Sequence, residues 1–157
     1  MRMATTCSFE GMWLAVYAFW LILATIAAAA WRWGNCAERA VAAMYAAAAI
    51  ATVIVRAPGS SDYSNFDNAA FAIDCCLLVG LLCVLARHSK WWLVGSAAIQ
   101  CVTVLGHVAM FDEPTTSAFA YFTTVVASSY PSVFLLAIAV SGTARSRIRS
   151  APNSTVS

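Results

Sequence analysis

Asp74 and His107 are the residues whose chemistry most needs an explanation, because both fall inside long apolar runs. An acid near the middle of a membrane helix carries an insertion penalty of about 2.5 to 3.5 kcal/mol, so it needs a partner or water. Asp74 follows Asp67 by seven residues, about 10 Å inside the end of its helix. His107 precedes Asp112 by five in the next, antiparallel segment, which predicts a similar depth. An acid and a histidine within reach of each other inside a membrane are the usual material of a proton relay.

Spacing draws further polar residues to the same place. Ser96, Gln100, Thr103 and His107 recur at intervals of four, three and four, one polar stripe on an otherwise apolar helix that must face protein or water. Ser117, Tyr121, Thr124 and Ser128 form a similar row leading to Pro131. The missing N–H and ring bulk of Pro131 predict a helix kink whose freed carbonyls can accept from these hydroxyls. The pattern predicts an outward-facing polar pocket of Asp74, Gln100, Thr103, His107, Tyr121 and Ser128, with Arg56 nearby. The same residues also fit a plainer role as interhelical packing bonds, which average about 0.6 kcal/mol in a membrane.

The elements that must position these residues are membrane helices. Of 157 residues, 62% are hydrophobic and 10% charged, against about half and about a quarter in soluble domains. Five apolar segments, 11–30, 40–55, 68–86, 91–111 and 118–142, predict an all-α polytopic transmembrane bundle. Residues 1–10 are then a short outer tail and 143–157 a basic, disordered cytoplasmic tail. The apolar run from Gly11 exceeds the usual core of a secretory signal and lacks a positive leader, since Glu10 offsets Arg2, so it reads as a retained helix.

With five spans, Arg32, Arg39, Arg87, Lys90, Arg145, Arg147 and Arg149 share one side, whereas only Arg2 and Arg56 lie on the other. Seven against two predicts that side to be cytoplasmic, with the N-terminus outside. The second segment is the weak one, because the 16 residues between Arg39 and Arg56 cover only about 24 Å as helix. Without it, four spans would put both termini inside with six basic residues against three. Trp13, Trp31, Trp33, Trp91 and Trp92 fall at span ends and read as a headgroup-level aromatic belt.

The Ala-rich second segment and the Ala72, Cys76, Gly80 and Cys83 stripe of the third suit close helix packing. No cysteine pair has metal-ligand spacing, and Cys75 and Cys76 point about 100° apart on a helix, so the cysteines read as small packing residues. No metal is expected and no cofactor is assigned. Weak net charge and the lack of a basic run interleaved with aromatics argue against nucleic acid.

Asp74, the Arg87-His88-Ser89 turn, Trp92, Gln100, His107 and Ser129-Tyr130-Pro131 together resemble a family of small membrane proteins from sphingomonad-type alphaproteobacteria. The resemblance covers about residues 44–149 and implies a Gram-negative inner membrane as the home, but it implies no activity.

Three function classes follow. The leading expectation is a non-enzymatic accessory subunit or self-associating bundle, partnered by lipid and by another membrane protein or its own copies. The alternative is a proton- or ion-linked carrier using Asp74 and His107. A haem- or quinone-binding redox protein comes third, because His107 is the only intramembrane histidine and bis-histidine haem needs two. No catalytic residue is assigned, since no nucleophile has a base and an orienting acid at recognisable spacing.

Overall fold

The computed structural model describes the backbone of residues 4–55, 68–112 and 118–150, and the side chains of 17–55, 68–109 and 129–149. Five helices account for almost all of it: α1 (Ala4–Trp33), α2 (Cys36–Val55), α3 (Asn68–His88), α4 (Trp91–Asp112) and α5 (Ala118–Ser150). They pack round a closed ring in chain order, α1 on α2, α2 on α3, α3 on α4, α4 on α5 and α5 back on α1, with α2 also meeting α5 across the middle.

Helix is the expected outcome where residues are apolar throughout and water is absent, because only helical segments satisfy every backbone N–H and C=O internally. Three helices, Cys36–Val55, Asn68–His88 and Trp91–Ala109, are long and apolar enough to cross a membrane, and Tyr17–Trp33 is a shorter apolar helix. Their outward faces are apolar too. Ile50, Val53, Ile54, Val79, Leu82, Val94, Val102, Leu105, Phe134 and Ile138 are all exposed, more greasy surface than a water-soluble domain tolerates.

Local chemistry sets the two tight corners. At the first, the Gly34 N–H bonds the Ala30 carbonyl at 2.8 Å. A Cβ at this position would run into that carbonyl oxygen, so only glycine lets α1 end here. Asn35 then caps α2: its carbonyl accepts from the Arg39 N–H at 3.0 Å, and its own N–H donates to Glu38 Oε2 at 2.6 Å. This is one half of a capping box, with the acid three residues after the cap.

At the second corner Ser89 has φ 41°, and its N–H closes α3 on the Leu85 carbonyl at 2.8 Å. That is the left-handed helix stop that glycine usually fills. Ser89→Gly should therefore raise stability by about 0.5 to 1 kcal/mol, the left-handed cost of a non-glycine residue less the extra entropy glycine loses. Thermal unfolding in mild detergent measures this, and a lower midpoint for the variant would show that the Ser89 side chain contributes more than its backbone costs.

The helices overrun the segments expected from hydropathy, and the reasons differ. α2 starts at Cys36 and has 20 residues, about 30 Å. Glu38 and Arg39, expected in a loop, thus belong to its first turn, which removes the shortfall of the second segment. α1 begins at Ala4, inside the expected outer tail. α5 runs on to Ser150, so residues 143–150 of the expected disordered tail are helical: no proline or glycine falls between Gly142 and Pro152, and Thr143 and Arg147 are bonded to the first corner. Residues 151–157 lie outside the described residues.

The buried apolar core gathers Leu23 and Ala30 of α1, Ala37, Val41 and Ala42 of α2, Leu81 of α3, Trp92, Leu93 and Ala97 of α4, and Val133, Leu136 and Val140 of α5. Among the described residues it lies toward the end of the ring that carries the two tight corners. Trp92 departs from the aromatic-belt expectation: it is in this core, whereas Trp31, Trp33 and Trp91 are exposed. Adjacent residues on a helix point about 100° apart, and here Trp91 turns outward while Trp92 turns into the core.

Candidate functional site

α3 and α4 run antiparallel from the Ser89 corner, which brings the middle of one beside the middle of the other. Ser96, Gln100, Thr103 and His107 all lie buried on one face of α4, with His107 fully enclosed. The three-four-four spacing is what keeps them on one face. Asp74 meets this stripe from α3 at a height between Gln100 and His107.

The carboxylate spends its two oxygens on different partners. Gln100 Nε2 donates to Asp74 Oδ1 at 2.9 Å and lies 3.3 Å from the Asp74 backbone oxygen. His107 Nε2 lies 2.9 Å from Asp74 Oδ2. Gln100 and His107 are seven residues apart, about 10 Å along the axis, and the diverging carboxylate oxygens span that interval together with the long glutamine side chain. The edge of Phe71 packs against the imidazole, ring centroids 5.9 Å apart. Thr103, buried between the two partners, donates to the Ile99 carbonyl at 3.2 Å.

Chemically, this is a carboxylate–imidazole pair sharing one short contact. A proton on Nε2 makes the histidine the donor to Oδ2; a proton on Oδ2 reverses the roles without moving a heavy atom. The Asp74 side chain keeps 20% of its surface exposed while His107 has none. The geometry thus suits both holding α3 to α4 and carrying a proton.

Not every residue of the expected pocket can be placed. Tyr121 and Ser128 belong to α5, but their side chains lie outside the described residues, as does Arg56 altogether. Pro131 is inside α5, which continues as helix on both sides of it. The expected pocket is therefore seen only on its α3–α4 side.

A second polar centre was not singled out from the sequence. Glu38 is 1% exposed and ties three parts of the chain together: it accepts from the Asn35 N–H, from Thr143 Oγ1 of α5 at 2.9 Å, and pairs with Lys90 at the head of α4, Nζ to Oε1 3.6 Å. The spacing of Asn35 and Glu38 is a readable capping signal. That the acid also reaches α4 and α5 is not readable, because it depends on which helices meet at this end.

Between the two centres lies a third polar layer. The Tyr45 hydroxyl of α2 sits beside the hydroxyls of Ser96 and Ser132, yet neither Tyr45 Oη nor Ser96 Oγ attains hydrogen-bonding geometry with a partner.

Two open clefts mark the described surface. One, of about 380 Å³ between α2 and α3, is lined by Met44, Ala47, Ala48, Ala51, Ala72, Ile73, Cys76 and Leu77. Gly80 sits deeper in the same seam, where a Cβ would meet Met44 Sδ at 2.7 Å. The other cleft lies at the corner end of the ring, beside Asn35. Comparison with known proteins finds no matching family model, no matching curated protein and no matching solved structure, so the fold and its polar centres stand on their own geometry.

Proposed function

We propose that this is a non-enzymatic, multi-pass inner-membrane protein of five spans that works as an accessory subunit of another membrane protein or as a bundle of its own copies. The observation that carries the reading is the α2–α3 seam. Its outer wall is made of Ala47, Ala48, Ala51, Ala72 and Cys76, and in lipid such small side chains let a further helix backbone come close, which is how membrane helices associate. The polar side chains support it as well, since Asp74, Gln100 and Glu38 are bonded between this chain's own helices and hold the bundle together.

The proposed orientation has the C-terminus in the cytoplasm, on the strength of the basic residues gathered at one end. The inner membrane rests on the family resemblance. Purification in mild detergent at native expression tests the function: a stoichiometric companion or a defined oligomer is expected, and an isolated monomer with no companion would remove the reading.

A second reading, a proton-linked carrier, is favoured by one observation, the short Asp74–His107 contact joining a partly exposed acid to an enclosed imidazole. Asp74→Asn would then abolish transport at unchanged expression.

A further inference from the structure

Where α1 turns into α2 and the end of α5 passes beside them, a cleft of about 480 Å³ opens at the surface. Arg39, in the first turn of α2, and Arg147, in the last turns of α5, both line it, together with Asn35, Trp31, Ala40 and Ala43. Helices that are distant in sequence thus bring two arginines to one opening. Arg147 Nη2 reaches Asn35 Oδ1 at 3.5 Å, a long contact that orients the guanidinium without consuming its donors.

No carboxylate answers these two charges among the described residues. The one acid at this end, Glu38, is turned inward at 1% exposure and is occupied by Lys90, Thr143 and the Asn35 N–H. Arg39 and Arg147 are both exposed. Two unanswered guanidinium forks at one cleft call for an anion, and their planar donor pairs suit phosphate oxygens better than ammonium groups would.

The level of the cleft says which phosphate. Trp31 is itself part of the lining, and Trp31, Trp33 and Trp91 stand 71%, 50% and 67% exposed at this end. Exposed tryptophans of a membrane bundle settle at the headgroup layer. From there Ala40 and Ala43 continue along α2 toward the hydrocarbon, leaving an apolar track next to the charged mouth. A charged mouth at phosphate depth running into an apolar track matches a phospholipid and not a free ion.

We infer that this cleft binds an anionic phospholipid, with Arg39 and Arg147 holding the phosphodiester and Ala40 and Ala43 lining the start of an acyl chain. Basic pockets between helices on one side of a membrane protein are a recurrent way of holding anionic headgroups. The site goes beyond the proposed function and stands apart from Asp74, so either can fail without the other.

The test reconstitutes the full chain in vesicles of mixed phosphatidylglycerol and phosphatidylcholine, releases it into mild detergent and measures retained lipid by native mass spectrometry. The wild type should keep phosphatidylglycerol in preference to phosphatidylcholine. Arg39→Gln combined with Arg147→Gln should weaken that retention about thirtyfold, and Arg39→Gln alone about fivefold, as expected for basic residues near a membrane surface. The single variant stands in if the double one does not fold. Arg145→Gln combined with Arg149→Gln removes the same number of charges, both from α5 and outside the cleft lining, and should leave retention unchanged. An equal loss in that control would reduce the effect to diffuse charge, and equal retention of both lipids by the wild type would overturn the site. Displacement of the lipid by millimolar inorganic phosphate would make it a free-phosphate site instead.

Discussion

Replacing Glu38 with alanine is expected to lower the stability of the detergent-solubilised bundle by about 3 kcal/mol, because breaking a buried charge pair leaves its partners without compensation. Three partners are affected: the Asn35 N–H, the Thr143 hydroxyl and the Lys90 ammonium. Lys90 is 36% exposed and can turn to water, which keeps the cost at the lower end for a buried pair. Glu38→Gln keeps one oxygen for the helix cap and turns its amide N–H toward Thr143 Oγ1, which can accept, so its cost should be nearer 1 kcal/mol, chiefly the lost pairing with Lys90.

Lys90→Met removes the other member and leaves the enclosed carboxylate with neutral donors only. Combining Glu38→Ala with Lys90→Met should then cost less than the sum of the two single changes, by about 1 kcal/mol or more, as for residues that share one network. Unfolding in sodium dodecyl sulfate followed by circular dichroism reads all four proteins. Strict additivity, or a Glu38→Ala midpoint equal to the wild type, would mean that the cluster does not hold the corner.

The second large effect is at Asp74. Asp74→Ala should cost about 2 kcal/mol, since it strips an acceptor from both Gln100 and His107, and single interhelical bonds in membranes reach about 1.7 kcal/mol at most. Asp74→Asn offers an oxygen to Gln100 and an amide N–H to the imidazole, so a neutral pair tolerates it within about 1 kcal/mol. If asparagine proves as damaging as alanine, the contact between Oδ2 and Nε2 is carried by charge. Cysteines placed together at positions 74 and 107 should cross-link with a short bifunctional reagent, and failure to link would mean that α3 and α4 do not meet at this register.

How much of this was legible beforehand varies by residue. Asp74, Gln100 and His107 stood out because an acid and a polar stripe inside apolar helices have few places to go, and an antiparallel neighbour of similar length has only one register compatible with a two-residue corner. Glu38 did not stand out. Counting charge between apolar runs placed it in a loop, whereas the cap at Asn35 begins the helix four residues before Ala40, and the packing of α4 and α5 turns the acid inward. Trp92 was misread for a related reason: its neighbour Trp91 takes the lipid-facing direction, and hydropathy does not distinguish two adjacent tryptophans.

The sequence by itself determined the number of helices, their approximate bounds, the short connections between them and the gathering of basic residues at one end. These are local properties: in an apolar medium the backbone must satisfy its own hydrogen bonds, and the breaks fall where capping residues allow them. Only the tertiary structure decided that Glu38 is buried, that Asp74 serves two partners, and that Arg39 and Arg147 share one cleft. Each of these depends on which face of a helix meets which neighbour, and residues as distant as 38 and 143 meet only because the ring closes α5 back onto α1 and α2.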